Sequence, residues 1–206
     1  MIKTFINKAD NAIATFVFAH GAGAGQSSDF MALVAEGISQ HHINVVRFNF
    51  AYMQLAEELG RRRPPDRADR LIIHYKSVLS ELSSCVPVFI GGKSMGGRIA
   101  SMLLEDSNAK GCICMGYPFH PPAKPEKLRT EHLQNLQKPL LVLQGERDNF
   151  GTKEEIDGYL MSSNVQVIYL TDGDHNFKPR KKSGVTLTQN INNAVQESVM
   201  FINRNL

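Results

Sequence analysis

Residues 88–98 read VFIGGKSMGGR, and residues 92–96 within them match the pattern G-x-S-x-G. An apolar run typical of a buried strand stops at two glycines, the single serine Ser94 follows, and more glycines lead into a helix-like segment. The pattern predicts a sharp turn from strand to helix that exposes the serine hydroxyl at the end of a sheet. Glycines suit such a turn because backbone segments come very close there. Five residues match easily by chance, so the interpretation depends on partners elsewhere in the chain.

The residues Gly92, Lys93 and Ser94 also occur together in phosphate-binding loops. Such a loop begins with a glycine five residues before its second glycine, and Pro87 occupies that position here. Because the whole loop is needed to cradle the phosphates, the sequence argues against a nucleoside triphosphatase.

The composition is that of an ordinary globular protein. The chain has 206 residues, of which 42% are hydrophobic and 21% are charged. This length allows a sizeable core, and we predict that residues 1–206 form a single domain. The formal net charge of +3 is mild, and no aromatic residues accompany the basic clusters. Nucleic acid is therefore not an expected partner.

The start of the chain and the cysteines bear on the compartment. The chain begins MIKTFINK, which turns polar too soon for a signal peptide, and no apolar run approaches the ~18 residues of a membrane-spanning helix. Cys85, Cys112 and Cys114 are odd in number and lack a metal-like spacing, which favours small buried thiols in a reducing compartment. We expect a cytoplasmic protein that does not associate with a membrane and that needs neither a metal ion nor a cofactor. The sequence leaves its oligomeric state open.

Apolar runs alternate with helical patterns along the chain. Buried parallel strands read as continuous apolar runs, and the helices between them cover the sheet. The sequence therefore predicts the α/β class, with a mostly parallel sheet and helices on both faces. The predicted strands are 2–6, 14–19, 44–50, 86–90, 111–116, 139–145 and 165–170; the predicted helices are 30–38, 66–82 (beginning at Asp66 or Asp69), 97–105, 154–161 and 188–202.

Two connections read differently. Residues 51–65 are predicted to be irregular, because they end in RRRPP and proline disfavours helical geometry in the residue before it. Residues 117–137 contain four prolines and then a short helical pattern. We expect this second segment to form a short cap or lid.

Polar or glycine-rich loops follow four of the predicted strands. The first carries residues 20–25, HGAGAG, and the later ones carry Ser94, Asp148 and His175. In open parallel sheets, ligands bind beyond the carboxyl ends of the strands. We expect the four loops to meet at one site.

These residue types suit nucleophilic catalysis. A serine hydroxyl needs a base to take its proton, and His175 is the candidate base. The imidazole needs a carboxylate that fixes its tautomer and stabilises its charged form, and Asp148 is placed for that. The order Ser94, Asp148, His175 is typical of α/β-hydrolases.

The oxyanion that forms on attack needs two hydrogen-bond donors. One is the N–H of Met95, which follows the nucleophile. The other is expected from the first glycine loop, with Ala22 as the first choice and Gly23 as the second. His20, at the start of this loop, is interpreted as structural, with its ring bonded to the loop backbone.

Other interpretations of the acidic residues remain open from the sequence alone. Asp148 could instead cap the helix predicted to follow it. Asp172 and Asp174 compete for the role of the carboxylate, although Asp174 adjoins His175 and neighbouring side chains seldom point at each other.

Five segments of the chain form a recognisable set: HGAGAG at 20–25, RRRPPDR at 61–67, GGKSMGGR at 91–98, GYPFHPP at 116–122 and GDH at 173–175. Together they resemble the α/β-hydrolases, and more closely a subgroup of small predicted hydrolases related to the dienelactone hydrolases, which includes the testis-expressed hydrolase-like proteins. The resemblance implies the α/β-hydrolase fold and the same Ser94, Asp148 and His175 triad, and a reaction class without a defined substrate. The short chain indicates a minimal cap.

We therefore predict a serine hydrolase that cleaves a small ester, thioester or amide through an acyl-enzyme on Ser94. Its partner is a small-molecule acyl substrate. The alternative is a non-catalytic α/β-hydrolase scaffold that binds a protein or a small ligand. A separation of more than ~5 Å between Ser94 Oγ and His175 Nε2 would favour the scaffold, because catalytic pairs lie ~2.6–3.2 Å apart.

Pocket walls are expected from residues 51–65, 117–137 and 149–151. Tyr117, His120 and Phe150 are the candidate substrate contacts, although His120 could instead pack its own loop. Lys93 places a cation beside the nucleophile, and the sequence suggests no role for it. The basic clusters at 61–63 and 178–182 are interpreted as solvated surface. The second cluster follows His175, so it could also steer anionic substrates.

Overall fold

A seven-stranded sheet runs through the computed structural model, which describes residues 3–206. The strands are β1 (Thr4–Asn7), β2 (Ala14–Ala19), β3 (Ile43–Phe48), β4 (Val88–Lys93), β5 (Cys112–Met115), β6 (Leu140–Gly145) and β7 (Val165–Leu170). Their order in the sheet is β1-β3-β2-β4-β5-β6-β7. Strand β1 pairs with β3 antiparallel, and every other pair is parallel. The carboxyl ends of the parallel strands therefore share one edge, as predicted.

Six α-helices connect or follow these strands in the described residues. They are α1 (Asp29–Ser39), α2 (Ala51–Glu58), α3 (Ala68–Glu81), α4 (Met95–Leu103), α5 (Lys153–Ile156) and α6 (Leu187–Arg204).

The helices bury both faces of the sheet. Successive side chains of a strand point to opposite faces, so Phe16 of β2 packs in a cluster with α1 and α6, whereas Val17 packs in a cluster with α3 and α4. Both side chains are fully buried. The predicted α/β class, with a mostly parallel sheet and helices on both faces, is confirmed.

The prediction for residues 51–65 was partly wrong, because α2 occupies Ala51–Glu58. The prolines constrain only the residues next to them. The helix ends before it reaches the prolines. Gly60, just after the helix, has a φ of 62°, and the Arg61 N–H donates to Ala56 O at 3.1 Å. Only residues 59–65 are irregular.

Other boundaries differ in detail. Neither Asp66 nor Asp69 caps α3, since Arg67 occupies the N-cap position. The helix predicted over 154–161 ends at Ile156. The predicted edge strand 2–6 is observed as Thr4–Asn7, and Ile2 lies outside the described residues.

Two further expectations concern the cysteines and the membrane. Cys112 and Cys114 are buried thiols as predicted, but Cys85 is exposed, because it lies in the turn before β4 and not within a strand. Within residues 3–206, none of the helices combines the length and the apolar content that a bilayer crossing requires.

Candidate active site

Ser94 stands at the junction of β4 and α4, at the carboxyl edge of the sheet. Its backbone has φ 51° and ψ −116°, a conformation that residues other than glycine rarely adopt. Two backbone bonds hold it there: its N–H donates to Met115 O at 2.8 Å, and its carbonyl accepts from the Arg98 N–H at 3.0 Å. This is the sharp strand-to-helix turn predicted from G-x-S-x-G.

The flanking glycines are required by close backbone contacts. A Cβ atom on Gly92 would lie 2.5 Å from the carbonyl carbon of Gly96. A Cβ atom on Gly96 would lie 2.5 Å from the carbonyl oxygens of Ala19 and His20. The helix after Ser94 is thereby pressed against the end of β2, where the first glycine loop begins.

Ser94, His175 and Asp148 form one hydrogen-bonded chain. Ser94 Oγ lies 2.9 Å from His175 Nε2, and His175 Nδ1 lies 2.7 Å from Asp148 Oδ2. The Asp148 side chain is fully buried, whereas that of His175 is 21% exposed. The three loops therefore bring together the three side chains that sequence analysis selected, in the geometry that a nucleophile, a base and an orienting carboxylate require.

Two donors fix the Asp148 carboxylate in addition to His175. The backbone N–H of Phe150 donates to Oδ1 at 2.9 Å, and Gln144 Nε2 donates to Oδ2 at 3.0 Å. Gln144 is itself fully buried, and its Oε1 accepts from the Tyr117 N–H at 2.8 Å. Gln144 was not predicted as a site residue, because a polar residue near the end of an apolar strand gives no sign of its partner.

The competing acidic residues have other partners. Asp172 forms an ion pair with Arg180 and lies 3.0 Å from Arg147 Nε, and its pKa falls to about 2, chiefly through the hydrogen bond from Arg180. Asp174 Oδ1 accepts from the backbone N–H groups of Asn176 and Lys178. Asp148 is also not a helix cap, since Thr152 caps α5.

Lys93 lies directly beneath the loop that carries His175. Its side chain is buried, and Nζ donates to the His175 carbonyl at 2.7 Å. The ammonium also lies 5.4 Å from the centre of the Phe30 ring. Burial lowers the pKa of Lys93 to about 8, against the opposing effect of the carboxylates of Asp148 and Asp174. The residue without a predicted role thus connects the end of β4, next to Ser94, to the backbone of His175.

The first glycine loop is held by His20 and Tyr52. The His20 Nε2 accepts from the Phe50 N–H at 3.0 Å, so Nδ1 carries the proton and donates to Gly21 O at 2.6 Å. Burial lowers the pKa of His20 to about 4, which keeps the ring neutral at pH 7. The Tyr52 hydroxyl donates to Ala22 O at 3.1 Å. The ring of His20 bonds to the loop backbone, as expected.

The candidate oxyanion donors lie on this loop and on the first turn of α4. A Cβ atom on Gly21 would lie 3.6 Å from Ser94 Cβ, so the loop passes directly beside Ser94. Within residues 3–206, neither the Met95 N–H nor the Ala22 N–H has an acceptor. Both groups are therefore available to an incoming oxygen, and Gly23 is the next residue along the loop.

A cavity of about 550 Å³ opens beside Ser94 and His175. Phe150 lines it, as predicted, and its ring lies 4.4 Å from that of His175. The other walls are the glycine loop, the start of α1 and Asn176. The lining residues outside the triad are Gly21, Ala22, Gly23, Ala24, Ser28, Asp29, Phe30, Met31, Lys93, Phe150 and Asn176.

Tyr117 and His120 do not line this cavity, which corrects their assignment as substrate contacts. The Tyr117 side chain is fully buried, and its hydroxyl donates to Arg129 O at 2.8 Å. The His120 ring is also buried, with Nδ1 3.0 Å from Pro121 O and Nε2 3.4 Å from Glu155 Oε2. Residues 117–137 contain one 3₁₀ turn, at Glu131–Leu133, and none of them lines the cavity beside Ser94.

Sequence analysis missed the wall formed by the start of α1. Phe30 was assigned only to the apolar face of a helix, yet it lies between the cavity and Phe177, with ring centres 5.4 Å apart. Its place directly after a glycine loop at the sheet edge was the available signal.

Within residues 3–206, no cluster of three or more histidine, cysteine or acidic side chains is placed to hold a metal ion.

Comparisons with known proteins agree on the architecture. An alpha-beta serine hydrolase homologue from Coxiella burnetii superposes with a TM-score of 0.71 at 17% identity, covering 98% of this chain and 90% of that one. A serine hydrolase without a lid from Xanthomonas campestris superposes with a TM-score of 0.72 at 16% identity, covering 97% of this chain and 88% of that one. Dienelactone hydrolase from Anabaena variabilis superposes with a TM-score of 0.72 at 17% identity, covering 100% of this chain and 92% of that one. The family model for the alpha/beta hydrolase domain matches residues 12–203, so this chain belongs to the α/β-hydrolase family.

Proposed function

We propose that this α/β-hydrolase is a serine hydrolase that cleaves a small ester, thioester or amide through an acyl-enzyme on Ser94. The observation that carries the proposal is the continuous chain from Ser94 Oγ to His175 Nε2 at 2.9 Å and from His175 Nδ1 to Asp148 Oδ2 at 2.7 Å. The alternative, a non-catalytic scaffold, would be favoured by a separation above ~5 Å between Ser94 Oγ and His175 Nε2. The observed separation of 2.9 Å favours the enzyme.

In the proposed reaction His175 takes the proton of Ser94 while Oγ attacks the carbonyl carbon of the substrate. Asp148 keeps the proton of the imidazole on Nδ1, so that Nε2 is free to act as the base, and it stabilises the imidazolium that forms. The negative charge develops on the carbonyl oxygen, where the N–H groups of Met95 and Ala22, with Gly23 as the second choice on the loop, would donate to it.

The tetrahedral intermediate then collapses. The bond to the leaving group breaks, the leaving group takes the proton from His175, and the acyl group stays on Ser94 as an ester. Water enters, His175 takes one of its protons, and the hydroxide attacks the acyl carbon. Collapse of this second intermediate releases the acid and returns the proton from His175 to Ser94 Oγ.

Two further observations support the class of reaction. Ser94 is held in the strained turn that nucleophilic serines of this family occupy. The structural neighbours from Coxiella burnetii and Xanthomonas campestris are named as serine hydrolases. We also propose a cytoplasmic location, because the odd number of cysteines and their spacing suit a reducing compartment.

A fluorophosphonate probe tests the proposal. Ser94 Oγ attacks the phosphorus, fluoride leaves and a stable serine phosphonate forms, so intact-protein mass spectrometry should show one added group. We expect no label on Ser94→Ala and unchanged labelling on Ser80→Ala, an exposed serine on α3.

The two partners of Ser94 should also matter. His175→Ala should label slowly, and Asp148→Asn should label about 10³- to 10⁴-fold more slowly than the wild type, because the amide favours the wrong tautomer. Asp69→Asn, which changes an exposed carboxylate, is the matched control. A folded wild-type protein that takes no label would overturn the proposal.

A further inference from the structure

A second cavity adjoins the candidate active site. Its volume is about 430 Å³, and it shares two wall residues, Ala22 and Gly23, with the cavity beside Ser94. The glycine loop is therefore a partition with the nucleophile on one side and this second cavity on the other. The far wall of the second cavity is formed by Arg61, Arg62 and Arg63.

The arginines are presented by a fixed turn. Helix α2 ends at Glu58, Gly60 takes a left-handed conformation, and the Arg61 N–H closes the end of the helix on Ala56 O at 3.1 Å. Pro64 follows the cluster and restricts its own φ. The backbone of the three arginines is thereby constrained at both ends.

The guanidinium groups are unneutralised. All three arginines are exposed, and within residues 3–206 none of them forms an ion pair or donates a side-chain hydrogen bond. One acidic residue, Glu57, also lines the cavity. Its Oε1 would lie only 2.9 Å from a Cβ atom on Gly25, which places the carboxylate against the glycine loop.

The charge of the cavity indicates the kind of ligand that it fits. Three cations and one carboxylate leave a local charge of about +2. A phosphate monoester carries about two negative charges at neutral pH, and its oxygens match the paired N–H donors of a guanidinium group. A single carboxylate or an uncharged group would leave at least one cation without a partner.

We propose that Arg61, Arg62 and Arg63 bind a phosphate group of the substrate, so that the enzyme acts on small phosphate-bearing acyl esters or thioesters. This inference rests on the proposed function for the acyl bond at Ser94. Because the two cavities share the wall residues Ala22 and Gly23, one small substrate can place its acyl bond at Ser94 and its phosphate at the arginines. The sequence favoured solvated surface for this basic cluster, but its place in a cavity that shares Ala22 and Gly23 with the one beside Ser94 favours direct binding.

A matched pair of esters tests the inference. 1-Butanoylglycerol 3-phosphate and 1-butanoylglycerol contain the same ester, and only the first has a phosphate. We expect kcat/KM to be at least about tenfold higher for the phosphate ester in the wild type, and this ratio to fall towards one in the variant with Arg61→Gln, Arg62→Gln and Arg63→Gln. The advantage should also shrink at high salt, because exposed charges are screened.

The control variant removes three exposed cations from the opposite edge of the sheet: Lys8→Gln, Lys110→Gln and Arg204→Gln. It loses the same net charge, so it should keep the wild-type ratio. Circular dichroism establishes that both variants are folded. A wild-type ratio near one, or an equal fall in both variants, would overturn the inference.

A binding measurement separates this inference from the proposed function. Calorimetric titration of glycerol 3-phosphate into Ser94→Ala should show binding that weakens at least about tenfold when the three arginines are replaced. If the wild type hydrolyses neither ester, the proposed function fails, and the titration alone decides the phosphate site. If hydrolysis depends on Ser94 but the titration shows no arginine-dependent binding, the phosphate site is wrong and the proposed function stands.

Discussion

The ammonium group of Lys93 donates to the backbone carbonyl of His175 at 2.7 Å. The residue that precedes Ser94 in sequence therefore holds the backbone of His175, although 81 positions separate Ser94 from His175. Lys93 is buried and the bond is partly buried, so its loss would leave a carbonyl without a partner as well as a less restrained loop. Lys93 is best described as a positioning residue, since it reaches the reacting atoms only through His175.

Burial of Lys93 makes a pH-dependent prediction about stability. Below pH 8 the ammonium is charged in both the folded and the unfolded protein, so its desolvation cost is fully present. Between pH 8 and 10.5 the folded protein releases the proton first, and the cost fades. The free energy of unfolding of the wild type, relative to Lys93→Met, should therefore rise by about 2–3 kcal/mol from pH 7 to pH 10.

Urea unfolding of both proteins at the two pH values measures this difference. The exposed Lys110→Met is the control for simple loss of an ammonium group, and its difference from the wild type should not rise in the same way. A flat difference for Lys93→Met would mean that water reaches the ammonium in the folded protein.

The amide of Gln144 gives a second prediction. Gln144→Leu removes a donor to Asp148 Oδ2 and leaves the buried Tyr117 N–H without an acceptor. The unsatisfied N–H should cost about 1–3 kcal/mol of stability. Labelling of Ser94 by a fluorophosphonate should also slow about tenfold, because the carboxylate that orients His175 loses one of its restraints.

The matched control is Gln166→Leu, which changes an exposed glutamine on β7. Gln166→Leu should change the free energy of unfolding and the labelling rate much less than Gln144→Leu does. If Gln144→Leu were destabilised but labelled at the wild-type rate, the amide would have a packing role without influence on the triad.

Much of this architecture was predictable because of one property of parallel sheets. Strands buried on both faces are continuous apolar runs, so residues 139–145 and 165–170 could be recognised from their sequence. The functional loops follow from the same property, since the carboxyl ends of parallel strands share one edge. That is why Ser94, Asp148 and His175 could be proposed as partners before any distance was known.

What the sequence did not reveal depends on side-chain direction and on weak local signals. Helix α2 buries only Tyr52, so its apolar pattern is faint beside the prolines that follow. Lys93 points under the His175 loop, and Tyr117 points into the core and not the cavity, because of packing between segments that are far apart in sequence. Periodicity assigns a face to a residue, but it does not select the contact that the residue makes there.

Gly96 and Gly23 give a third prediction, because the space available for an added Cβ atom differs sharply between them. A Cβ atom on Gly96 would lie 2.5 Å from two carbonyl oxygens, whereas nothing lies within 4 Å of a Cβ atom on Gly23. Gly96→Ala should therefore cost at least about 1–3 kcal/mol and abolish labelling of Ser94, since α4 must move away from β2. Gly23→Ala should keep the stability of the wild type. Urea unfolding measures both, and equal stability of the two variants would contradict the close packing at the turn.

The contact between Phe150 and His175 separates positioning from substrate binding. The two rings lie 4.4 Å apart at an angle of 36°, while the backbone N–H of Phe150 donates to Asp148. Phe150→Ala keeps that backbone bond and removes the ring, so the imidazole loses a packing partner. We expect kcat for a butanoyl ester to fall about tenfold because His175 then spends less time in reach of Ser94. Phe5→Ala, at an exposed aromatic residue, is the control. A rise in KM with kcat unchanged would show instead that the Phe150 ring contacts the acyl group and leaves the base where it is.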